Sequence, residues 1–287
     1  MGNRTVHLWT STQTNPAVYI PGSSTVGNTD ARRLLTLENP ALGPSYLGFY
    51  QTDDGGVGDY NGLLLSLQRR FAKGVTVLAN YTWSHCLSVP VDSVLGTTAN
   101  YMNPANRQAD YGNCVPSDRR HILNLSAVAQ SPRFSRRWLS VAAGGWQFSS
   151  IVSAQSGSWI NVTTGVDNAL TGQPNQRPNL IGNPIPAVQN VNQWLVGPAF
   201  TASGPGTYGN LGINAFQGPG ILQFDMGMSR LFPIRERQHV EFRAEAFNVL
   251  NRLNANNPVS TLNSATFGRI LSAADPRIMQ FALKFMF

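Results

Sequence analysis

Apolar and polar residues alternate along stretches of about ten positions. Over 75–85, Val75, Val77, Ala79, Tyr81 and Trp83 alternate with Thr76, Asn80, Thr82 and Ser84, and Leu78 is the exception. Successive side chains of a β-strand point to opposite faces, so this stretch reads as a strand with one apolar and one polar side. Leu63, Leu65 and Leu67 alternate with Ser66, Gln68 and Arg70, and Leu123, Leu125, Ala127 and Ala129 with Asn124, Ser126 and Gln130. The period returns around Trp146, Phe148 and Val152, around Leu222, Phe224, Met226 and Met228, around Val240, Phe242, Ala244 and Ala246, and around Met279, Phe281, Leu283 and Phe285. The pattern predicts strands over 60–71, 75–85, 119–130, 141–155, 220–232, 238–249 and 277–287, hence an antiparallel all-β fold.

A soluble sandwich alternates in the same way. Two features favour a transmembrane β-barrel. The strands match the roughly 9–11 residues that cross a bilayer at a tilt. The connections alternate between short (72–74, 131–140, 233–237) and long (86–118, 157–219, 250–276). Outer-membrane barrels keep that parity, with short periplasmic turns and long extracellular loops. It places the end of the chain on the periplasmic side. Tyr81 and Trp83 then fall at the outer interface, and Phe71, Trp146, Phe232 and Phe287 at the inner one, as an aromatic girdle. Leu63, Leu65, Leu67, Val77, Phe224, Met226, Val240, Phe242, Phe281 and Leu283 are expected to face lipid. Gln68, Arg70, Glu241, Arg243 and Glu245 are expected to face the lumen, as solute contacts or as solvated wall. Residues 60–287 carry the barrel strands and loops, about seven or eight strands in all. Residues 1–59 read as extracellular loop and irregular strands: Thr5–Trp9 is the tail of an upward strand, Tyr46–Thr52 a hairpin arm or the top of the next strand, and 53–59 (DDGGVGD) an interruption.

Composition narrows the class. The chain has 287 residues, and 12% are charged, about half the usual soluble fraction of roughly 25%. With 27 Gly and 18 Pro it is rich in turn formers, which disfavours a typical cytosolic enzyme. No run approaches the ~18 apolar residues of a membrane helix. Net charge is +7, almost all of the cations being Arg. They come singly or in scattered pairs (Arg32/Arg33, Arg69/Arg70, Arg119/Arg120, Arg136/Arg137) with no nucleic-acid motif around them. Nucleic acid is therefore not an expected partner, and a lumen wall or an anionic lipid surface is the expected use of Arg.

Cys86 and Cys114 bracket one polar loop, either as a disulfide or as two free thiols. A disulfide would add roughly 3–4 kcal/mol through loop closure and imply an oxidising compartment. Zinc held with His85 and His121 is disfavoured, because the ligand spacing of a zinc site is absent. Residues 204–209 match GxGxxG in a Gly/Pro-rich loop without the strand and helix that a dinucleotide site needs. Ser84, Asp118 and His121 form no recognisable hydrolase motif. No catalytic residue, metal or cofactor is expected.

The runs YNGLLLSLQRRFAKGVTVLANYTWSH, DRRHILNLSAVAQ and GGWQFSSIVSAQSG, followed by RPNLIGNP, GTYGNLGINAFQGPG, FRAEAFNVLN and FGRI…DPRIMQFALKFMF, together resemble the barrel of TonB-dependent outer-membrane transporters. The likeness is to Oar-like members that carry a carboxypeptidase-regulatory-like domain. The resemblance implies the C-terminal portion of a larger barrel and energy-coupled solute uptake in the intact protein. Outer-membrane lipid, the barrel-assembly machinery, a plug domain and the TonB complex are its implied partners. Phe285 and Phe287 match the terminal assembly signal. Signal peptide, TonB box and plug are expected to lie outside this sequence. The alternative is a small free-standing outer-membrane barrel with a binding or adhesive role in its loops.

Overall fold

A computed structural model describes residues 1–72, 74–90, 100–115, 118–132, 134–173, 176–235 and 237–287, with backbone only at Phe71 and Ala72. The expected girdle position of the Phe71 side chain lies outside the described residues. Eight strands form one antiparallel meander: β1 (Gly2–Gln13), β2 (Tyr50–Ala72), β3 (Val75–Ser88), β4 (His121–Gln130), β5 (Trp146–Gln155), β6 (Ile221–Arg235), β7 (Gln238–Phe247) and β8 (Ile278–Met286). A two-residue strand, Gly112–Asn113, adds to the outer end of β3. The sheet is open, with β1 and β8 at its edges. Among the described residues no helix is long and apolar enough to cross a membrane.

Directly opposed residues share a face of a sheet, so the register defines two continuous surfaces. One row runs Leu67–Ala79–Leu125–Val152–Phe224, and a second runs Leu65–Tyr81–Leu123–Ala154–Leu222. The same face continues through Met228–Ala244–Phe281 and Arg230–Phe242–Leu283. The opposite face carries Ser66–Asn80–Asn124–Ser153–Gln223. Alternation in the sequence is therefore realised strand after strand in one register, and the apolar face is bare: Leu67, Phe281 and Leu283 are 66%, 68% and 75% exposed. A surface of that extent is stable only against a nonaqueous neighbour.

Two local departures from the sequence pattern have plain causes. The expected strand over 141–155 begins only at Trp146, because Arg137–Ala143 (RWLSVAA) loses strict alternation and winds into a helix, α2, ended at Gly144 and Gly145. The supposed interruption over 53–59 is strand. β2 runs through it, and the register against β1 shifts between Val6, Leu8 and Thr10. Gly56 makes that passage possible, since a Cβ there would stand 2.6 Å from the Leu8 carbonyl oxygen. Residues 1–59 thus contain two regular strand segments, β1 and the outer part of β2, joined by 14–49 with a short helix, α1 (Leu34–Glu38).

At ~3.3 Å per residue, the 23 residues of β2 extend well beyond a bilayer core. β1 pairs with only its outer part, from Gly2 opposite Asn61 to Gln13 opposite Tyr50. The pairing ends where the Met1 amine donates to the Gly62 carbonyl at 2.8 Å.

The buried core of the protein lies beyond the sheet, among the long loops. Ile160, Val162, Leu195, Ala199, Phe200 and Leu211 cluster there, with Leu180, Trp194, Phe216, Leu262 and Phe267 packed against them. Phe200 meets Phe216 and Phe267 edge-on, at 5.7 and 5.5 Å between ring centroids. Two short ladders, Trp159–Ile160 with Phe216–Gln217 and Asn179–Leu180 with Phe200–Thr201, brace this cap.

Candidate functional site

Two regions could serve function: the polar face of the sheet and the loop cap above it. On the polar face, Arg243 of β7 donates to Glu241 at 2.9 Å and stands 3.9 Å from Glu245. Gln280 of β8 donates to Glu245 across the strand pair, and Lys284 lies opposite Glu241. Further along, Ser153 donates to Asn124 at 3.0 Å and Gln223 to Asp225 at 2.8 Å. Gln68 sits on this face opposite Leu78, with Arg70 two residues on, beside the register shift between Arg69 and Ala72. The structure therefore joins Glu241, Arg243 and Glu245 in one charge ladder and leaves Gln68 and Arg70 on β2, remote from it in the strand order. At the inner end, the connection over 131–145 and the ends of β4 to β7 line a cleft of about 770 Å³ that includes Gln130, Ser140, Trp146, Gln147, Arg230 and Glu241.

The cap is held by buried polar clamps that sequence reasoning missed. Arg177 pairs with Asp110; their side chains are 3% and 1% exposed. Its other N–H groups donate to the carbonyls of Leu211 at 2.8 Å and Ala109 at 2.9 Å, and Asp110 accepts from the Met102 amide at 2.8 Å. Arg32 reaches the carbonyls of Thr25 and Leu170, both at 3.0 Å, and Arg33 that of Asn15 at 2.9 Å. These arginines were expected at a lumen wall or lipid surface. They are loop clamps instead, because buried loop backbone must find hydrogen-bond partners. Asn248 accepts from the Arg252 amide at 3.0 Å and donates to the carbonyls of Arg252 and Asp275. The signal was legible in part: Arg177 opens RPNLIGNP and Asn248 lies in FNVLN.

Lower on the outer side, Asp53 of β2 accepts from Arg107 at 2.9 Å and 2.5 Å, from Thr10 at 2.9 Å and from the Gly55 amide at 2.9 Å. The Arg107 guanidinium, foremost among these, holds the Asp53 carboxyl down at about 2 against burial, which works the other way. Arg107 also lies 5.0 Å from the centre of the Tyr101 ring. Tyr208 is pushed up, chiefly by burial in the cap.

The remaining sequence candidates are placed as follows. Cys86 and Cys114 are joined in a disulfide, with Cα atoms 5.4 Å apart. Ser84 donates to Asp118 at 3.2 Å, but His121 faces the other side of the sheet and meets the Tyr81 hydroxyl at 2.8 Å, so no triad assembles. Gly204, Gly206 and Gly209 lie in the cap without a helix after them. A Cβ on Gly206 would strike the Tyr19 ring, and one on Gly209 the Arg177 carbonyl, so packing accounts for both glycines. Among the described residues no three His, Cys, Asp or Glu side chains converge on a metal position. Phe285 and Phe287 stack at 5.9 Å at the end of β8.

Comparison with curated proteins gives no match. The family model described as "Outer membrane beta barrel domain" matches residues 1–280. An antiparallel meander, an unbroken apolar face and a polar face of linked side chains are what such a domain needs to stand in lipid. The chain therefore belongs to the outer membrane β-barrel domain family, and its place is the bacterial outer membrane.

Proposed function

We propose that this chain forms a segment of the barrel of a TonB-dependent receptor, serving energy-coupled uptake of a solute across the outer membrane. One observation carries the reading. The eight strands form an open meander with β1 and β8 at its edges. Outer-membrane barrels close every strand against a neighbour, and an open edge in hydrocarbon costs several kcal/mol for each unpaired backbone group. Closure by further strands satisfies both edges. The hydroxyl, amide and charged ladder of the polar face suits a wide hydrated lumen filled by a plug. The motifs quoted above support the same reading.

A second reading has its own support. The cap has a core of its own, which suits a small barrel that binds or adheres through its loops.

Paired cysteines separate the two. Leu67→Cys on β2 and Leu283→Cys on β8 are placed together in chain expressed in outer membranes. The receptor reading expects no intramolecular cross-link and no heat-dependent mobility shift for the chain alone. An efficient cross-link in a heat-modifiable monomer means that the strands close on themselves, and the small barrel replaces the receptor segment.

A further inference from the structure

We propose that the inner rim of the sheet is a docking surface for anionic phospholipid headgroups, with α2 lying in the headgroup layer of the periplasmic leaflet. α2 buries none of its residues. Trp138 and Val141, three apart and so on one helix side, are 64% and 65% exposed. Arg136 and Arg137 precede them, both exposed. At the inner end of neighbouring β6, Ile234 is exposed beside exposed Arg235, with exposed Arg237 in the turn that follows. Among the described residues this rim presents Arg136, Arg137, Arg235 and Arg237.

Arg230 joins this rim to the lipid face. It stands on the apolar side of β6, between Trp146 and Phe242 in register. Its guanidinium lies 4.7 Å from the Phe232 ring centre and 5.5 Å from that of Trp146, and it donates to the Ala142 carbonyl at 3.1 Å. Trp146 donates to the same carbonyl at 3.1 Å. The C-terminal end of α2 is thereby pinned to the margin of the apolar face, where hydrocarbon gives way to headgroups. An Arg there keeps its stem on apolar rings and offers its remaining N–H groups to a phosphate. Charge alone would equally suit an anionic cell-wall polymer. The exposed Trp138, Val141 and Ile234, continuous with a lipid-facing surface, favour lipid.

The test uses the full chain in vesicles of phosphatidylcholine, alone or mixed with phosphatidylglycerol, with either lipid brominated near the glycerol. Subtracting the signal of Trp138→Phe isolates Trp138. The expected result is that brominated phosphatidylglycerol quenches Trp138 in preference to brominated phosphatidylcholine. Arg136→Gln with Arg137→Gln should cut that preference roughly thirtyfold while the β circular dichroism stays unchanged, since both lie outside the sheet. Equal quenching by the two lipids overturns the proposal. So does a Trp138 response to soluble cell-wall glycan fragments without any lipid preference, which would assign the rim to the wall polymer.

Discussion

Arg177 and Asp110, 67 residues apart in the chain, form an ion pair sealed inside the loop cap and complete each other's hydrogen bonding there. Residues 100–115 and the long β5–β6 connection are thereby locked together above the sheet. Removing one partner strands the other charge out of water, which typically costs about 3–5 kcal/mol. Arg177→Met should release the cap to limited proteolysis while the strand signal in circular dichroism persists. Arg177→Met combined with Asp110→Leu should recover much of the loss. Protease resistance unchanged in Arg177→Met would show that the pair does not hold the cap.

The two faces of β7 and β8 should respond oppositely to charge. Phe281→Arg, in mid-strand on the apolar face, should cost roughly 2–4 kcal/mol and impair membrane assembly. Phe242→Arg should also impair assembly, because it sets a second cation directly opposite Arg230 and removes the ring that meets Trp146. Arg243→Gln, on the polar face, should be tolerated. Comparable insertion yields for Phe281→Arg and Arg243→Gln in a vesicle-folding assay would contradict the assignment of faces.

The Asp53–Arg107 clasp gives the outer part of the sheet a pH dependence. The carboxyl titrates at about 2 in the folded chain, below its ordinary 3.8. A depressed value means that stability is fully present above the ordinary value and drains away as pH falls through about 2. The clasp is partly exposed, so its contribution is no more than roughly 1–2 kcal/mol. Protease accessibility of 100–115 should rise between pH 4 and 2, and Asp53→Asn should flatten that rise. A profile identical in Asp53→Asn would assign the acid sensitivity elsewhere.

The Cys86–Cys114 disulfide ties the end of β3 to the returning loop. Its removal by Cys86→Ser with Cys114→Ser should cost roughly 3–4 kcal/mol in the chain-entropy view. The loss should appear as earlier thermal release of the cap. Thiol labelling of unreduced surface protein should find neither cysteine free, and labelling of both would dispose of the bridge.

The strands were legible because lipid on one side and water on the other impose a period of two, and a one-residue slip would carry Leu67 or Phe281 to the wrong face. The helix α2 was not, because over so short a run Leu139 and Val141 fit a strand spacing while Trp138 and Val141 fit a helical one. The cap was least legible. Its core draws Ile160, Leu195, Leu211 and Phe267 from separate stretches of loop with no period at all. Its clamps are Arg and Asn residues that look solvent-facing until the loops meet. The polar ladder was readable on β7, where Glu241, Arg243 and Glu245 share one strand. Its extension to Gln280 and Lys284 depends on a cross-strand register that the sequence does not state.

The position of the hydrophobic core, outside the sheet and on the far side of the bilayer from the turns, has a consequence for assembly. In the orientation expected from the loop parity, the cap segments are threaded across the membrane before they can meet one another, because they are tethered to hairpins that insert from the periplasm. Ile160 and Leu195 belong to one translocated loop and Phe267 to another, so the last contacts await the crossing of β7 and β8. Closure over such sequence distances is slow, and until then the apolar loop residues are without their partners. Insertion of the strands and consolidation of the cap should therefore be separable kinetic phases, the second beginning only after the final strand is in place.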